Sequence, residues 1–145
     1  MKTLSFDEID EGTQIPGLSI EADILRLIKY AGSTWNFYLL HLDGKFAKEK
    51  GFRDVNIPGP FYGALLAKMM TAWTGDIATL KKLGYSVTEM GFVNDTLYAS
   101  GIVANKCREF DECLVNCRIW IQNQDDVRIV TGSALLSFLQ NRSRL

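Results

Sequence analysis

The chain has a single histidine, His41, with Asn36 shortly before it and Asp43 shortly after. Imidazole takes up and releases protons near neutral pH, which makes His41 the first candidate for acid–base work. A primary amide such as that of Asn36 orients a water by hydrogen bonds but cannot accept its proton. A lone histidine is more often structural than catalytic, so its neighbours carry the argument. Asp43 reads as the N-cap of a short helix through Phe46, Ala47 and Lys50 that Gly51 ends. Gly59 stands between Pro58 and Pro60 at the head of an apolar stretch. A backbone N–H at a helix start can hold an oxyanion, although a glycine between two prolines is also what a turn requires. Cys113 and Cys117 invite a metal reading, but they lack the second ligand pair of a zinc site and His41 is far away in sequence. Alternation puts both on one face of a strand, so they are read as small core residues and no metal is expected.

The elements that must position these groups fall into two halves. Glu21 to Ala31 carries a helical stripe of Ile24, Leu25, Leu27, Ile28 and Ala31, and Gly32 stops it. Asp54 to Ile57 reads as a short strand or an extended lead-in. Pro60 then suits the first turn of a helix running from Phe61 to about Trp73, apolar nearly all round apart from Lys68. A helix of that kind is buried in a core. From there the period changes. Ala78 to Glu89, Thr96 to Arg108, Glu112 to Gln124 and Val127 to Leu139 read as four long strands joined by turns. In the third, Val115, Cys117, Ile119 and Ile121 alternate with Asn116, Arg118, Trp120 and Gln122, as in an antiparallel sheet with one buried face. The fold class is α+β, an antiparallel sheet wrapped around one long central helix.

Composition narrows the function classes. With 145 residues, 47% of them hydrophobic and 23% charged, the chain suits one globular domain. The net charge of −1 is spread along the length without a Lys/Arg cluster, which argues against nucleic acid and anionic membranes as partners. No apolar run approaches the roughly 20 residues a bilayer span needs. The opening residues turn acidic at once and lack an apolar core, so no signal peptide is expected. Three cysteines, an odd number, with no export signal suit reduced thiols in a cytoplasm.

The stretch Ser33-Thr34-Trp35-Asn36-Phe37-Tyr38-Leu39-Leu40-His41-Leu42-Asp43, continuing to Phe46-Ala47 and Gly51-Phe52, resembles the MaoC-like hydratase segment. That segment is an Asp, four residues, a His, one residue, an Asp, then Phe-Ala and a Gly. The likeness extends over nearly the whole chain. Phe6 to Gly12 looks like that family's opening strand, and Ile57-Pro58-Gly59 stands where it usually has an apolar residue, His and Gly. Ala72-Trp73-Thr74-Gly75, Tyr85 to Asp95, Ser100-Gly101-Ile102-Val103, Gln122 to Asp125 and Thr131-Gly132-Ser133-Ala134 follow its later landmarks. The resemblance implies one MaoC-like hot-dog domain over residues 1–145, of the (R)-specific enoyl-CoA hydratase kind.

It also implies a lyase of lipid metabolism that adds water across a trans-2-enoyl-CoA thioester, or removes it from the 3-hydroxyacyl-CoA. By resemblance His41 handles the proton, Gly59 supplies the oxyanion N–H, and Asn36 occupies the place of the catalytic Asp. Tyr38, Pro58, Phe61 and Ala64 are then the substrate-binding residues. Gly63, Ala64 and Ala67 either leave room for an acyl chain or permit close sheet packing. Lys45, Lys48 and Arg53 either meet coenzyme A phosphates or form a solvated face. No cofactor is implied. The expected partners are an acyl-CoA substrate and a second hot-dog chain, identical or different, because an isolated five-stranded sheet leaves long edges exposed. Some steroid-degrading hydratases of the family pair two different chains, so this one is alternatively the supporting half of a shared site, or a module that binds acyl thioesters without turnover. A thioesterase is disfavoured, since the stretch from Phe61 to Trp73 has no acidic residue.

Overall fold

A computed structural model of the chain describes residues 4–139. Five antiparallel strands, β1 (Gln14–Glu21), β2 (Ala78–Val87), β3 (Thr96–Glu109), β4 (Glu112–Gln122) and β5 (Arg128–Phe138), form one sheet in the order β1-β3-β4-β5-β2. Among the described residues three α-helices, α1 (Ile24–Thr34), α2 (Gly44–Glu49) and α3 (Gly59–Thr74), accompany the sheet, with short 3-10 turns between elements. This is the α+β arrangement of one long helix against a curled antiparallel sheet that the period change predicts.

The four long strands lie where alternation puts them. In β4 the side chains of Cys113, Val115, Cys117, Ile119 and Ile121 are all buried against α3, and their neighbours face outward. The cysteines are free thiols, Cys107 half-buried and the other two buried. Burial pushes the Cys117 thiol up to about 12.

The edge strand β1 differs from the expectation. Phe6–Glu8 forms a 3-10 turn, not a strand, and the pairing begins only at Gln14. Pro16 and Gly17 sit inside β1, and the register to β3 shifts between Ile15 and Leu18 to accommodate them.

Helix α1 also runs past its expected stop. Asp23 caps it by accepting from the Arg26 N–H at 3.0 Å. The helix carries through Gly32 to Thr34, and the hydroxyls of Ser33 and Thr34 both donate to the Tyr30 carbonyl, at 2.9 and 2.8 Å. These are back-bonds to a carbonyl that already belongs to the helix ladder, of the kind serine and threonine make within helices. Of the sequence stripe only Leu27 and Ala31 are buried, while Ile24, Leu25 and Ile28 stay exposed in this chain.

Helix α3 is the core element. Phe61, Tyr62, Gly63, Leu65, Leu66, Met69, Met70 and Thr74 are buried. Its remaining face is not buried: Ala64, Lys68, Thr71 and Ala72 form an outward row at helical spacing. Gly63 is needed for contact with the sheet. A Cβ there would lie 2.6 Å from the Tyr85 hydroxyl, so the Tyr85 ring rests directly on the helix backbone.

Candidate active site

Asp43 behaves as its sequence position predicts, accepting from the N–H groups of Lys45 and Phe46 at 2.8 and 3.1 Å. The cap starts α2 just after a 3-10 turn, Leu39–His41, and so fixes where His41 emerges. The imidazole is half-buried, with Nδ1 2.9 Å from the Asn56 main-chain oxygen. A carbonyl only accepts, so Nδ1 carries the proton of that bond and the Nε2 lone pair of the neutral ring is left to act as a base. The Tyr38 ring meets the imidazole edge-on at 5.7 Å and Phe46 at 6.2 Å.

Asn56 was not among the residues singled out from sequence. Its N–H donates to the Leu40 carbonyl at 3.2 Å, and it forms an isolated bridge with Phe92. The segment from Asn56 onward leads directly to α3, so the residue that orients His41 also precedes the helix start. At that start Pro58 is the N-cap and is buried. Pro60 has no N–H, and that of Phe61 is taken by the Pro58 carbonyl at 2.9 Å. Gly59 therefore presents an N–H of the kind a helix leaves without an intrahelical acceptor. Its carbonyl accepts from Tyr85 Oη at 3.2 Å, which fixes the peptide plane behind it. A Cβ on Gly59 would meet nothing within 4 Å, so the space over this residue is open.

Asn36 lies half-buried in the loop after α1, its N–H bonded to the Ala31 carbonyl at 3.0 Å. Among the described residues its side-chain amide makes no hydrogen bond, to His41 or to any other group. The loop begins at Trp35, which takes a left-handed φ of 57° and is 83% exposed. Phe37, Tyr38 and Leu39 are exposed as well.

Phe61 and Ala64 share one cavity of about 390 Å³ between α1 and the outward row of α3, with Tyr30 and Leu65 in its walls. The Tyr30 and Phe61 rings meet edge-on at 5.1 Å. Burial raises the Tyr30 phenol above its ordinary value, with Tyr85 nearby adding to the effect. Gly63 contributes no room to this cavity, because the Tyr85 ring takes the place of its missing side chain.

The cations named from sequence divide. Arg53 contacts Asp95 at 3.3 Å and lies 4.3 Å over the Phe92 ring, and Lys48 is 3.9 Å from Asp54. Arg53 is thereby part of the frame behind the site: the buried Asp95 also accepts from the Phe92 N–H at 2.8 Å and from Gln124 Nε2 at 3.1 Å. Among the described residues no cluster of three or more His, Cys, Asp or Glu side chains could hold a metal ion. No helix among them is long and apolar enough to cross a membrane.

No family model matches the sequence, and no curated protein does. Solved structures do resemble it. The R-hydratase PhaJ1 from Pseudomonas aeruginosa superposes with a TM-score of 0.85 at 18% identity, over 94% of this chain and 86% of that one. An (R)-hydratase from A. caviae involved in PHA biosynthesis gives 0.81 at 22% identity, over 92% and 98%. A chain of the ChsH1-ChsH2 complex from Mycobacterium tuberculosis gives 0.78 at 23% identity, over 89% and 98%. The fold of this chain is thus the hot-dog fold seen in MaoC-like dehydratases and (R)-hydratases.

Proposed function

We propose that residues 1–145 act as one MaoC-like domain that hydrates a trans-2-enoyl-CoA, or dehydrates the 3-hydroxyacyl-CoA, at a site around His41. The observation that carries this reading is the bond from His41 to the Asn56 carbonyl, which leaves Nε2 as the free base. In the hydration direction Nε2 takes a proton from water as its oxygen bonds to C3. The same imidazolium returns a proton to C2, so one histidine balances both transfers. The enolate-like thioester oxygen that forms in between is held by the Gly59 N–H, aided by the positive end of α3. Asn36, in place of the usual Asp, orients the water and takes no proton. Phe61 and Ala64 contact the acyl chain, with Tyr38 and Pro58 flanking the thioester.

A second reading is favoured by the exposed apolar run Trp35, Phe37, Tyr38 and Leu39 beside His41. A contiguous patch of this kind marks a contact surface. Here the chain is one half of a pair of hot-dog chains in the cytoplasm, and the partner completes the site. The fold neighbours include chains of complexes named ChsH1-ChsH2 and HadBC.

Enoyl-CoA hydration by the purified chain tests both. Activity that drops about 10²–10⁴-fold in His41→Ala supports the homomeric enzyme. Background activity that only a co-expressed second hot-dog chain restores supports the pair. No CoA thioester binding in either arrangement overturns the reading.

A further inference from the structure

The cavity between α1 and α3 has a charge pattern that plain hydrocarbon does not call for. Ile20, Tyr30, Phe61 and Leu65 give it apolar walls, while Arg26, Lys29 and Lys68 stand around it. Arg26 leans on Asp23 at 3.5 Å. Lys29 and Lys68 have no ion-pair partner among the described residues, and no carboxylate belongs to the lining. An apolar cleft with unpaired cations at its rim suits a ligand with a greasy body and an anionic end.

Resting on the thioester reading above, we propose that this cavity selects acyl chains that end in a carboxylate, so that the preferred substrates are ω-carboxyacyl thioesters. From Gly59, where the thioester oxygen would sit, α3 rises about 13 Å to Lys68. Helical side chains lean back toward the N-terminus, so the Lys68 ammonium lies short of that distance. An extended acyl chain that spans somewhat less than this distance places the anionic end roughly six to ten carbons from the thioester. The volume of about 390 Å³ lies at the lower end of small-ligand pockets, of the size for such a chain and not for a whole coenzyme A. Lys29 arrives from the facing helix, so the two ammonium groups approach the carboxylate from opposite walls.

The test is calorimetric titration with octanoyl-CoA and suberyl-CoA, saturated thioesters of equal chain length that differ in the terminal carboxylate. The expected result is about tenfold tighter binding of suberyl-CoA at low salt, from two partly exposed ion pairs acting together. That preference should shrink toward unity as salt shortens the screening length to about 3 Å at 1 M. It should also vanish in the double variant Lys29→Met/Lys68→Met, which keeps the aliphatic stems and removes the charges. Equal binding of the two thioesters overturns the inference and leaves the hydratase reading intact; the lysines then merely cover apolar surface. Equal weakening of both thioesters in the double variant also overturns it, and assigns the cations to the coenzyme A phosphates. Absence of binding by either thioester defeats the underlying function itself.

Discussion

His41 Nδ1 donates to the main-chain oxygen of Asn56 at 2.9 Å, while the side-chain Oδ1 of the same Asn56 is buried without a donor among the described residues. A buried acceptor left in this way costs about 1–3 kcal/mol. The cost is sustained next to the group proposed to do the chemistry, where a polar atom can hold water or a substrate hydroxyl. Asn56→Leu, of similar shape, keeps the main-chain bond to His41 and removes the orphan acceptor. Its Tm should rise, equivalent to roughly 1 kcal/mol, while hydration falls. A variant that is both less stable and fully active would show that Oδ1 has a structural partner instead.

Asn36→Asp restores a proton acceptor at nearly the same volume. In a homomeric enzyme it should raise enoyl-CoA hydration, by up to the 10²–10⁴-fold typical of general acid–base groups. Circular dichroism should be unchanged, since Asn36 makes no side-chain bond for the change to break. An unaltered rate in a folded variant would count against any shared water between residue 36 and His41.

Two glycines of α3 should respond differently to the same added methyl. Gly63→Ala drives a Cβ to 2.6 Å from the Tyr85 hydroxyl, so the ring must move and its bond to the Gly59 carbonyl is lost. About 1–3 kcal/mol of stability should go with it, as in other overpacked sites. Gly59→Ala meets nothing within 4 Å and should leave unfolding unchanged, yet it fills the space above the N–H proposed to hold the oxyanion. Denaturant melts and hydration rates measured on both variants separate packing from function.

The Asp95 hub makes the frame behind the site sensitive to one carboxylate. Asp95→Ala strands the Phe92 N–H and the Gln124 amide at a position only 4% exposed, and should cost about 3 kcal/mol. Arg53→Met removes a guanidinium that is mostly exposed and lies over the Phe92 ring, so about 1 kcal/mol or less is expected. Urea midpoints that ranked the two in the opposite order would refute this assignment.

The alkaline limb of stability should carry a thiol signature. Cys117 ionises near 9 when free and is pushed up to about 12 by burial in the fold. Between those values the unfolded chain binds fewer protons than the native one, so stability falls as pH rises. The contribution is fully present below about pH 9 and is lost through the folded value, with a slope of up to about 1.4 kcal/mol per pH unit. The buried Tyr62 phenol, also raised by burial, acts in the same direction above pH 10. Cys117→Ala should flatten the fall between pH 9 and 10, as followed by thermal melts across that range.

What could be read from the sequence followed local rules. Alternation located β4 with its buried Cys113 and Cys117, and the Asp43 cap announced α2. The edge strand β1 was hidden because Pro16 and Gly17 interrupt its alternation, and the end of α1 was misplaced because the helix passes through Gly32 to Thr34. The site was legible only where a motif names residues. His41 and Gly59 could be singled out, but Asn56 behind the imidazole and Tyr85 beneath Gly59 are joined to them by folding alone. The cation-rimmed cavity was hidden for the same reason, since Lys29 and Lys68 meet only when α1 lies across α3.

The kink at Pro16 and Gly17 makes the two borders of the sheet unequal. A proline offers no N–H to an incoming strand, and the slipped register interrupts the row of groups on either side of it. On the opposite border β2 also shifts register, against β5 between Leu80 and Lys82, but it contains no proline. The β1 border is therefore the poorer template for an added strand. A twofold pair joined at the β2 borders would leave only β1 borders outward, which disfavours further growth into a fibre.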